Sequence, residues 1–366
     1  MTGIDVPIAD PQIGGAELSN VVDVLESGML ADGPAVRRFE AAFADYCGAD
    51  HAVATANGTT ALHAALVALG IGEGDRVLTT PFTYVATANA VTFAGAEVDF
   101  VDIDPETYNL DVDELAARLR DGERVDAVIA VHLYGLPAAV ERLRELAVDH
   151  GFALVEDAAQ AHGAAVDGQR VGTFGDAGCF SFYPTKNMTT GEGGMITTDR
   201  ADVAERARRF VDHGRTDGYV HDEVGHNFRM TSVAAAIGRA QLDRLPAFTR
   251  RRRANAAALT EALSGTGVTT PTAPADRRHV YHQYTIGTDD RDGLVDHLAD
   301  AGIDTGVYYP VPVHRQPAYD HVDATAPRAE AAADEVLSLP VHPGVTTADV
   351  ERIADAVRAY EGVIAR

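Results

Sequence analysis

The 366-residue chain contains two cysteines, one lysine and no run approaching 18 consecutive apolar residues. Each shortage excludes something. Cys47 and Cys179 cannot build a disulfide framework, and a cysteine-based zinc site or other metal centre is not expected. Without a long apolar run, a helical membrane span is not expected either. The opening Met-Thr-Gly-Ile-Asp-Val-Pro has no basic stretch leading into an apolar one, so no secretory leader is expected and the cytoplasm is the expected location. Positive charge is also scarce. Thirty basic against 55 acidic side chains leave a formal charge of −25. Such a chain is a poor partner for nucleic acid or an anionic membrane surface.

What is present is ordinary in bulk and biased in detail. Apolar residues make up 46%, as in globular proteins, and the length suits one large domain or two. The acids are 36 Asp and 19 Glu, and the bases 29 Arg and a single Lys. An Asp-rich, Lys-poor composition suggests a halophilic cytoplasm, where about 1 M salt cuts the Debye length to roughly 3 Å. An acidic surface encoded by a GC-rich mesophile genome is the alternative.

Apolar periodicity gives the organisation. Helical spacing covers Asn57–Leu69, Thr87–Phe93 and a segment opened by Pro137 and closed by Gly151. Strand-like runs fall at Arg76–Thr80, Glu97–Asp102, Asp126–His132, Phe152–Glu156 and Gly178–Tyr183. This alternation predicts an α/β fold with a mostly parallel sheet, whose ligands bind beyond the carboxyl ends of the strands. The pattern changes near Leu245-Pro246. Residues 1–249 are expected to form a large domain with an N-terminal arm, and residues 250–366 a smaller α+β domain. The run Arg250–Arg253 is expected to be the start and solvated face of a connecting helix. The 14 histidines show no close metal-binding pair, and most are expected at the surface or just behind the residues that contact a ligand.

The sole lysine is Lys186. Arginine can replace lysine in most surface roles, but it cannot lose its proton and attack carbon. Four segments suggest what chemistry this lysine serves. Gly58, Thr59 and Thr60 open a helix, where free N–H groups and the helix dipole favour a phosphate; a plain N-terminal cap is the other reading. Tyr84 follows a strand and could present a ring face, or could be core. Asp157 falls at the end of an apolar run, where a carboxylate needs a cation or serves as a helix cap, and Gln160 lies three residues on. Ser181 precedes Lys186 in Phe-Ser-Phe-Tyr-Pro-Thr-Lys-Asn, followed by the glycines of Gly191-Glu192-Gly193-Gly194. Neither a Walker loop nor a dinucleotide fingerprint is present. Together these residues describe a site for pyridoxal 5′-phosphate: a phosphate cup, a ring stacker, an acid for the pyridine nitrogen, a donor for the phenolic oxygen and an amine for the Schiff base.

The segments NGTTALHAAL, FTYVATANAV, VEDAAQAHGA, FSFYPTKNMTTGEGGMITT, NFRMTSVAAAIGRAQLDRL and VYYPVPVHRQPAY resemble the DegT/DnrJ/StrS sugar aminotransferases, of the aspartate-aminotransferase fold (fold type I). The resemblance spans residues 57–319. It implies that Lys186 carries the Schiff base and moves the proton. Asp157 would pair with the pyridine nitrogen, Gln160 with the phenolic oxygen, and Tyr84 with the ring face. Gly58, Thr59, Thr60 and Ser181 would hold the phosphate, and Asn227 would reach the phosphate of the neighbouring subunit. A homodimer with shared active sites follows. Arg229 and His314 are further candidates for substrate contacts.

The expected activity is transfer of an amino group, with L-glutamate as donor, to a nucleotide-linked keto sugar destined for a polysaccharide or secondary metabolite. Three alternatives remain at this point. They are transamination of a free cyclic ketone, a pyridoxal-dependent sugar dehydratase, and a cofactor-binding regulator without turnover. Some relatives that remove a hydroxyl carry histidine in place of the lysine, so Lys186 favours transamination.

Overall fold

Seven strands pair into one sheet. In spatial order its strands are His51–Thr55, Gly194–Thr198, Ala177–Ser181, Ala153–Asp157, Ala127–Val131, Arg76–Thr79 and Glu97–Phe100. The last five of these are mutually parallel. Gly194–Thr198 runs against both of its neighbours, so six strands point one way. The computed structural model describes residues 4–360, and the first three and last six positions of the two expected domains lie outside it. Every residue of Ala127–Val131 and of Gly194–Thr198 is buried. Burial of every residue marks strands covered on both faces, and Ala127–Val131 is apolar throughout.

Local sequence sets the helix ends. The helix Gly58–Leu69 starts at Asn57, whose side chain accepts from the Thr60 N–H, and stops at Gly70, which takes a left-handed φ of 88°. Glycine tolerates that conformation without a Cβ clash. The helix expected from Pro137 begins later, at Val140, and ends at Gly151 as expected.

The sheet direction decides where chemistry can occur. Thr55, Thr79, Asp157 and Ser181 are all last residues of strands that point the same way. The antiparallel strand begins at that same edge, since Gly194 lies opposite both Ser181 and Thr55. Asn57–Thr60, Tyr84, Asp157 and Lys186 therefore all follow carboxyl ends on one rim.

A second apolar core lies around the antiparallel pair Tyr284–Gly287 and Val336–Leu339. It gathers Leu294, Leu298, Ile353 and Val357 with Ala256 and Leu259, and it takes in Val6 near the start of the chain. One helix, Ser232–Ala262, joins the two cores. Its Leu242 and Leu245 pack with Phe39 and Phe43, while its Ala256 and Leu259 pack with Tyr284. Position 250 lies inside this helix. The helix start expected at Arg250 is thus corrected: the helix begins at Ser232, capped by Thr231, and runs through Pro246. A proline there removes one N–H donor, and packing at both ends maintains the helix. Nor is Arg250–Arg253 a solvated face throughout. Arg251 donates to the Val345 carbonyl, and Arg252 is buried and donates to the carbonyls of Tyr281 and His282. Of the 14 histidines, seven are buried: His63, His132, His162, His279, His282, His314 and His342.

The strand that delivers Asp157 is anchored one residue earlier. Glu156 is fully buried, and its carboxylate accepts from Gly172, Phe174 and Gly175 N–H groups at 2.8, 2.7 and 2.9 Å. His132 Nε2 lies 3.0 Å from the same carboxylate. His132 Nδ1 accepts from the Ala138 N–H, so Nε2 is the nitrogen that donates to Glu156. Burial pushes the Glu156 carboxyl up, but the bonds from His132, Gly172 and Gly175 outweigh it and hold the group below the ordinary range. A lowered carboxylate gives stability that is present above its unfolded value and lost as pH falls through its folded value. Glu156→Ala should lower unfolding stability by about 3–5 kcal/mol in denaturant titrations, the usual cost of leaving a buried polar cluster unpaired. The loss should shrink as pH falls below the ordinary glutamate range, and a variant as stable as the parent at pH 7 would contradict the anchoring role.

Candidate active site

Lys186 lies five residues beyond the strand Ala177–Ser181, behind Tyr183-Pro184-Thr185, with its backbone N–H donating to the Tyr183 carbonyl at 2.9 Å. The glycines after it allow a tight return. A Cβ on Gly193 would lie 2.3 Å from Thr190 Oγ1, and one on Gly194 would lie 2.3 Å from the Asn57 carbonyl oxygen. The return thus presses the lysine loop against the start of the helix Gly58–Leu69.

Burial lowers the Lys186 ammonium to about 8, against the attraction of Asp157, which raises it. A sizeable fraction of the amine is therefore unprotonated at neutral to mildly alkaline pH, as a nucleophile requires. Asp157 is buried at the strand end. Its Oδ2 accepts from Thr87 Oγ1 at 2.8 Å and its Oδ1 from the Ala159 N–H at 3.2 Å. Thr87 is in turn 3.0 Å from Thr83 Oγ1. Burial pushes the Asp157 carboxyl up, while Thr87, Ala159, Lys186 and His132 oppose the rise. Among the described residues no side chain makes an ion pair with Asp157 within 4.0 Å. A buried carboxylate in this state suits a cationic ring nitrogen.

Gln160 is held from one side. Its Oε1 accepts from the Tyr134 N–H at 2.7 Å, and its Nε2 donates to the Tyr309 hydroxyl at 3.0 Å. The second amide hydrogen is free for another acceptor. Tyr84 is exposed, with its ring 6.1 Å from that of Tyr309 at 38°. Burial and the nearby Asp157 push the Tyr309 hydroxyl above the usual phenol range, which keeps it protonated. Tyr309 was not among the expected site residues. It lies about 150 positions from Gln160, on a segment without periodicity.

The cup is narrower than expected. Gly58 touches Ser181: a Cβ on Gly58 would meet Ser181 Cβ at 2.7 Å and its Oγ at 3.2 Å. Thr60, in contrast, is committed to the helix cap. Its N–H donates to Asn57 Oδ1 at 2.9 Å, and its hydroxyl donates to the Asn57 carbonyl and accepts from the Asn57 N–H. That leaves the N–H groups of Gly58 and Thr59 and the hydroxyls of Thr59 and Ser181 to face an anion at the helix start.

The remaining candidates lie elsewhere. Asn227 is exposed, and its Oδ1 accepts from Arg229 Nε at 3.1 Å. Arg229 is paired with Asp212 at 2.9 Å. The Phe228 carbonyl, between them, accepts from the Ala56 N–H just ahead of the cup. His314 is buried and 2.9 Å from Glu330, which also pairs with Arg315. Two further histidines, His162 and His282, are buried and electrostatically coupled to Lys186. Burial lowers His162 to about 3, and both stay neutral at physiological pH.

The residues present fit pyridoxal 5′-phosphate. Gly58 has no room for a side chain beside Ser181, the helix start offers free donors, and Asp157 has no ion-paired partner. Lys186 supplies the amine and Gln160 a donor. The comparisons agree. The sequence profile of the DegT/DnrJ/EryC1/StrS aminotransferase family matches residues 11–358. The UDP-N-acetyl-3-dehydro-α-D-glucosamine 3-aminotransferase of Acidithiobacillus ferrooxidans is 41% identical, over 93% of this chain and 92% of its own. The dTDP-3-amino-3,4,6-trideoxy-α-D-glucose transaminase of Streptomyces venezuelae is 41% identical, over 97% and 96%. A Geobacillus stearothermophilus chain called a pleiotropic regulatory protein is also 41% identical, over 94% and 95%. Among solved structures, a DegT DnrJ EryC1 StrS aminotransferase from Brucella abortus superposes with a TM-score of 0.90 at 36% identity, covering 95% of both chains.

Because the chain has one lysine, amine chemistry reports on it directly. In cofactor-free protein, the rate at which an arylating reagent modifies Lys186, followed by peptide mass spectrometry, should rise with a midpoint near pH 8. Asp157→Asn removes the attraction that favours the ammonium, so its midpoint should fall below that of the parent. A parent midpoint above pH 10, as for a solvated lysine, would contradict the burial argument.

Proposed function

This chain belongs to the DegT/DnrJ/EryC1/StrS aminotransferase family, and on that premise we propose that it moves an amino group from an amino acid to a nucleotide-linked keto sugar. The observation that carries the proposal is the only lysine of the chain, half-buried and within electrostatic reach of Asp157 on the rim that also holds Gly58, Ser181 and Gln160. The relatives' names support the substrate class, since chains about 40% identical over nearly their full lengths act on UDP- and dTDP-linked sugars.

Pyridoxal 5′-phosphate supplies an electron sink when bound, so that an amino acid can lose its Cα proton and nitrogen can change partners. The chain's own groups do the rest. Asp157, fixed by Thr87 and Ala159, offers a buried carboxylate that holds a proton on the ring nitrogen. Gln160, fixed by Tyr134, would offer its second amide N–H to the phenolic oxygen. The N–H groups of Gly58 and Thr59 bind phosphate without bringing a mobile cation. Lys186 Nζ takes the Cα proton from the donor and delivers it in the second half of the cycle, a role its lowered proton affinity suits. Tyr84, exposed with its ring 6.1 Å from that of Tyr309, would offer a face to the cofactor ring.

L-glutamate is the proposed donor and the cytoplasm the proposed location. No helix among the described residues is long and apolar enough to cross a membrane. A homodimer with shared sites is the proposed assembly. Its support is the hairpin Arg215–His221, which presents an almost fully exposed Tyr219 close in sequence to the exposed Asn227. One observation favours a second reading, a cofactor-binding regulator without turnover: the relative named as a pleiotropic regulatory protein matches as well as the enzymes do.

Absorbance separates the two. Protein purified in high salt with bound cofactor should show a visible band that moves to the near ultraviolet on addition of L-glutamate, and Lys186→Ala should lack both the band and the response. A band that ignores glutamate and every other amino donor would contradict transamination and support the regulator. A product that forms only with free cyclic ketones, and not with keto-sugar nucleotides, would overturn the substrate class.

A further inference from the structure

Carboxylates outnumber cations in this chain, and its arginines find them readily. Arg118 pairs with Asp99 and Glu123, and Arg328 with Asp102, Asp111 and Glu114. Four arginines from three separate elements depart from this habit. Arg170 ends the short strand Gln169–Arg170, Arg253 belongs to the helix Ser232–Ala262, and Arg277 and Arg278 form the strand paired with Ala165–Val166. All four line one cavity of about 390 Å³, in which Asp276 is the only acidic lining residue among the described residues. The local surface thus carries three net positive charges within a chain of −25.

Arg170, Arg253 and Arg278 make no ion pair among the described residues. Arg277 reaches Asp276 only at 3.9 Å, too long for a hydrogen bond, and its Nε is buried without a partner. Two of the four are fixed in place. Arg277 Nη1 donates to the Pro137 carbonyl at 3.0 Å. Arg170 lies over the Tyr46 ring at 4.1 Å and donates to the Tyr46 carbonyl. Arg253 and Arg278 are exposed. Arg278 also acts electrostatically on the Tyr46 phenol, as Arg170 does. None of these residues belongs to the site around Lys186.

We propose that this cavity binds a multivalent oxyanion of the phosphate type, at a site separate from the cup at the helix Gly58–Leu69. Like charges gathered around one cavity repel, and an anion between them removes that cost. Guanidinium groups present paired N–H donors that match phosphate oxygens, which makes such bonds both strong and directional. The two fixed arginines lose little freedom on binding, so the ordering cost falls mainly on Arg253 and Arg278. Three net charges match a di- or trianion better than a simple carboxylate. Free pyrophosphate and the diphosphate of a nucleotide share this chemistry.

Calorimetric titration of the holoenzyme tests the proposal, because the active-site cup is then filled. At fixed potassium chloride, inorganic pyrophosphate should bind the parent saturably and more weakly as salt rises. The double variant Arg253→Gln/Arg278→Gln should bind at least about tenfold more weakly, since it loses two charge-assisted contacts. The variant should keep its cofactor band and its response to glutamate, which shows that it is folded. Displacement of pyrophosphate from the parent by uridine diphosphate would identify a nucleotide as the source, and failure to displace it a free oxyanion. Absence of saturable pyrophosphate binding by the parent, or equal affinity in parent and variant, would overturn the proposal.

Discussion

A half-buried amine near a buried carboxylate is the constraint on which this structure turns. Neither Lys186 nor Asp157 is comfortable alone in a low-dielectric interior. Burial drives each toward its neutral form, and their mutual attraction opposes both shifts. The balance leaves the lysine able to lose its proton and the aspartate able to hold one on a cationic partner. Other features of the fold maintain this balance. Glu156 fixes the strand that ends in Asp157, the glycines after Lys186 press its loop against the helix start, and Thr87 and Ala159 fix the Asp157 oxygens.

Much of this was legible in the sequence, for physical reasons. A chain that uses arginine almost everywhere has little reason to keep one lysine unless its amine is needed. Asp157 stood out because a carboxylate at the end of an apolar run needs a partner. The parallel sheet followed from alternating strand and helix periods, and its carboxyl rim did gather the segments chosen. What stayed hidden depended on tertiary geometry. Thr60 looked like a phosphate ligand, but its N–H and hydroxyl bond to Asn57, and a helix-opening threonine reads the same in either role. Tyr309 joins Gln160 from a distant segment. Pro246 made the interior of one long helix read as a helix start, because packing at both ends outweighs the loss of a single hydrogen bond. The buried histidines were invisible for a similar reason: His132 and His342 are satisfied by partners remote in sequence.

The charge distribution separates two scales of electrostatics. The −25 total describes the surface, and salt screens it within a few ångströms at high ionic strength. The site is governed by nearer groups: N–H donors at a helix start, two hydroxyls and one lysine. An acidic chain can thus bind a phosphorylated cofactor and a diphosphate-bearing sugar. The arginine-lined cavity follows the same logic, because local charge, and not the total, sets what it attracts.

The central claim is that Lys186 is the covalent anchor of the cofactor. Reduction of the holoenzyme with borohydride, followed by peptide mapping in a mass spectrometer, tests it most directly. The account predicts that the cofactor's mass appears on the peptide containing Lys186 and on no other. An unmodified Lys186 in protein that carries the cofactor, or a label on any other residue, would contradict it.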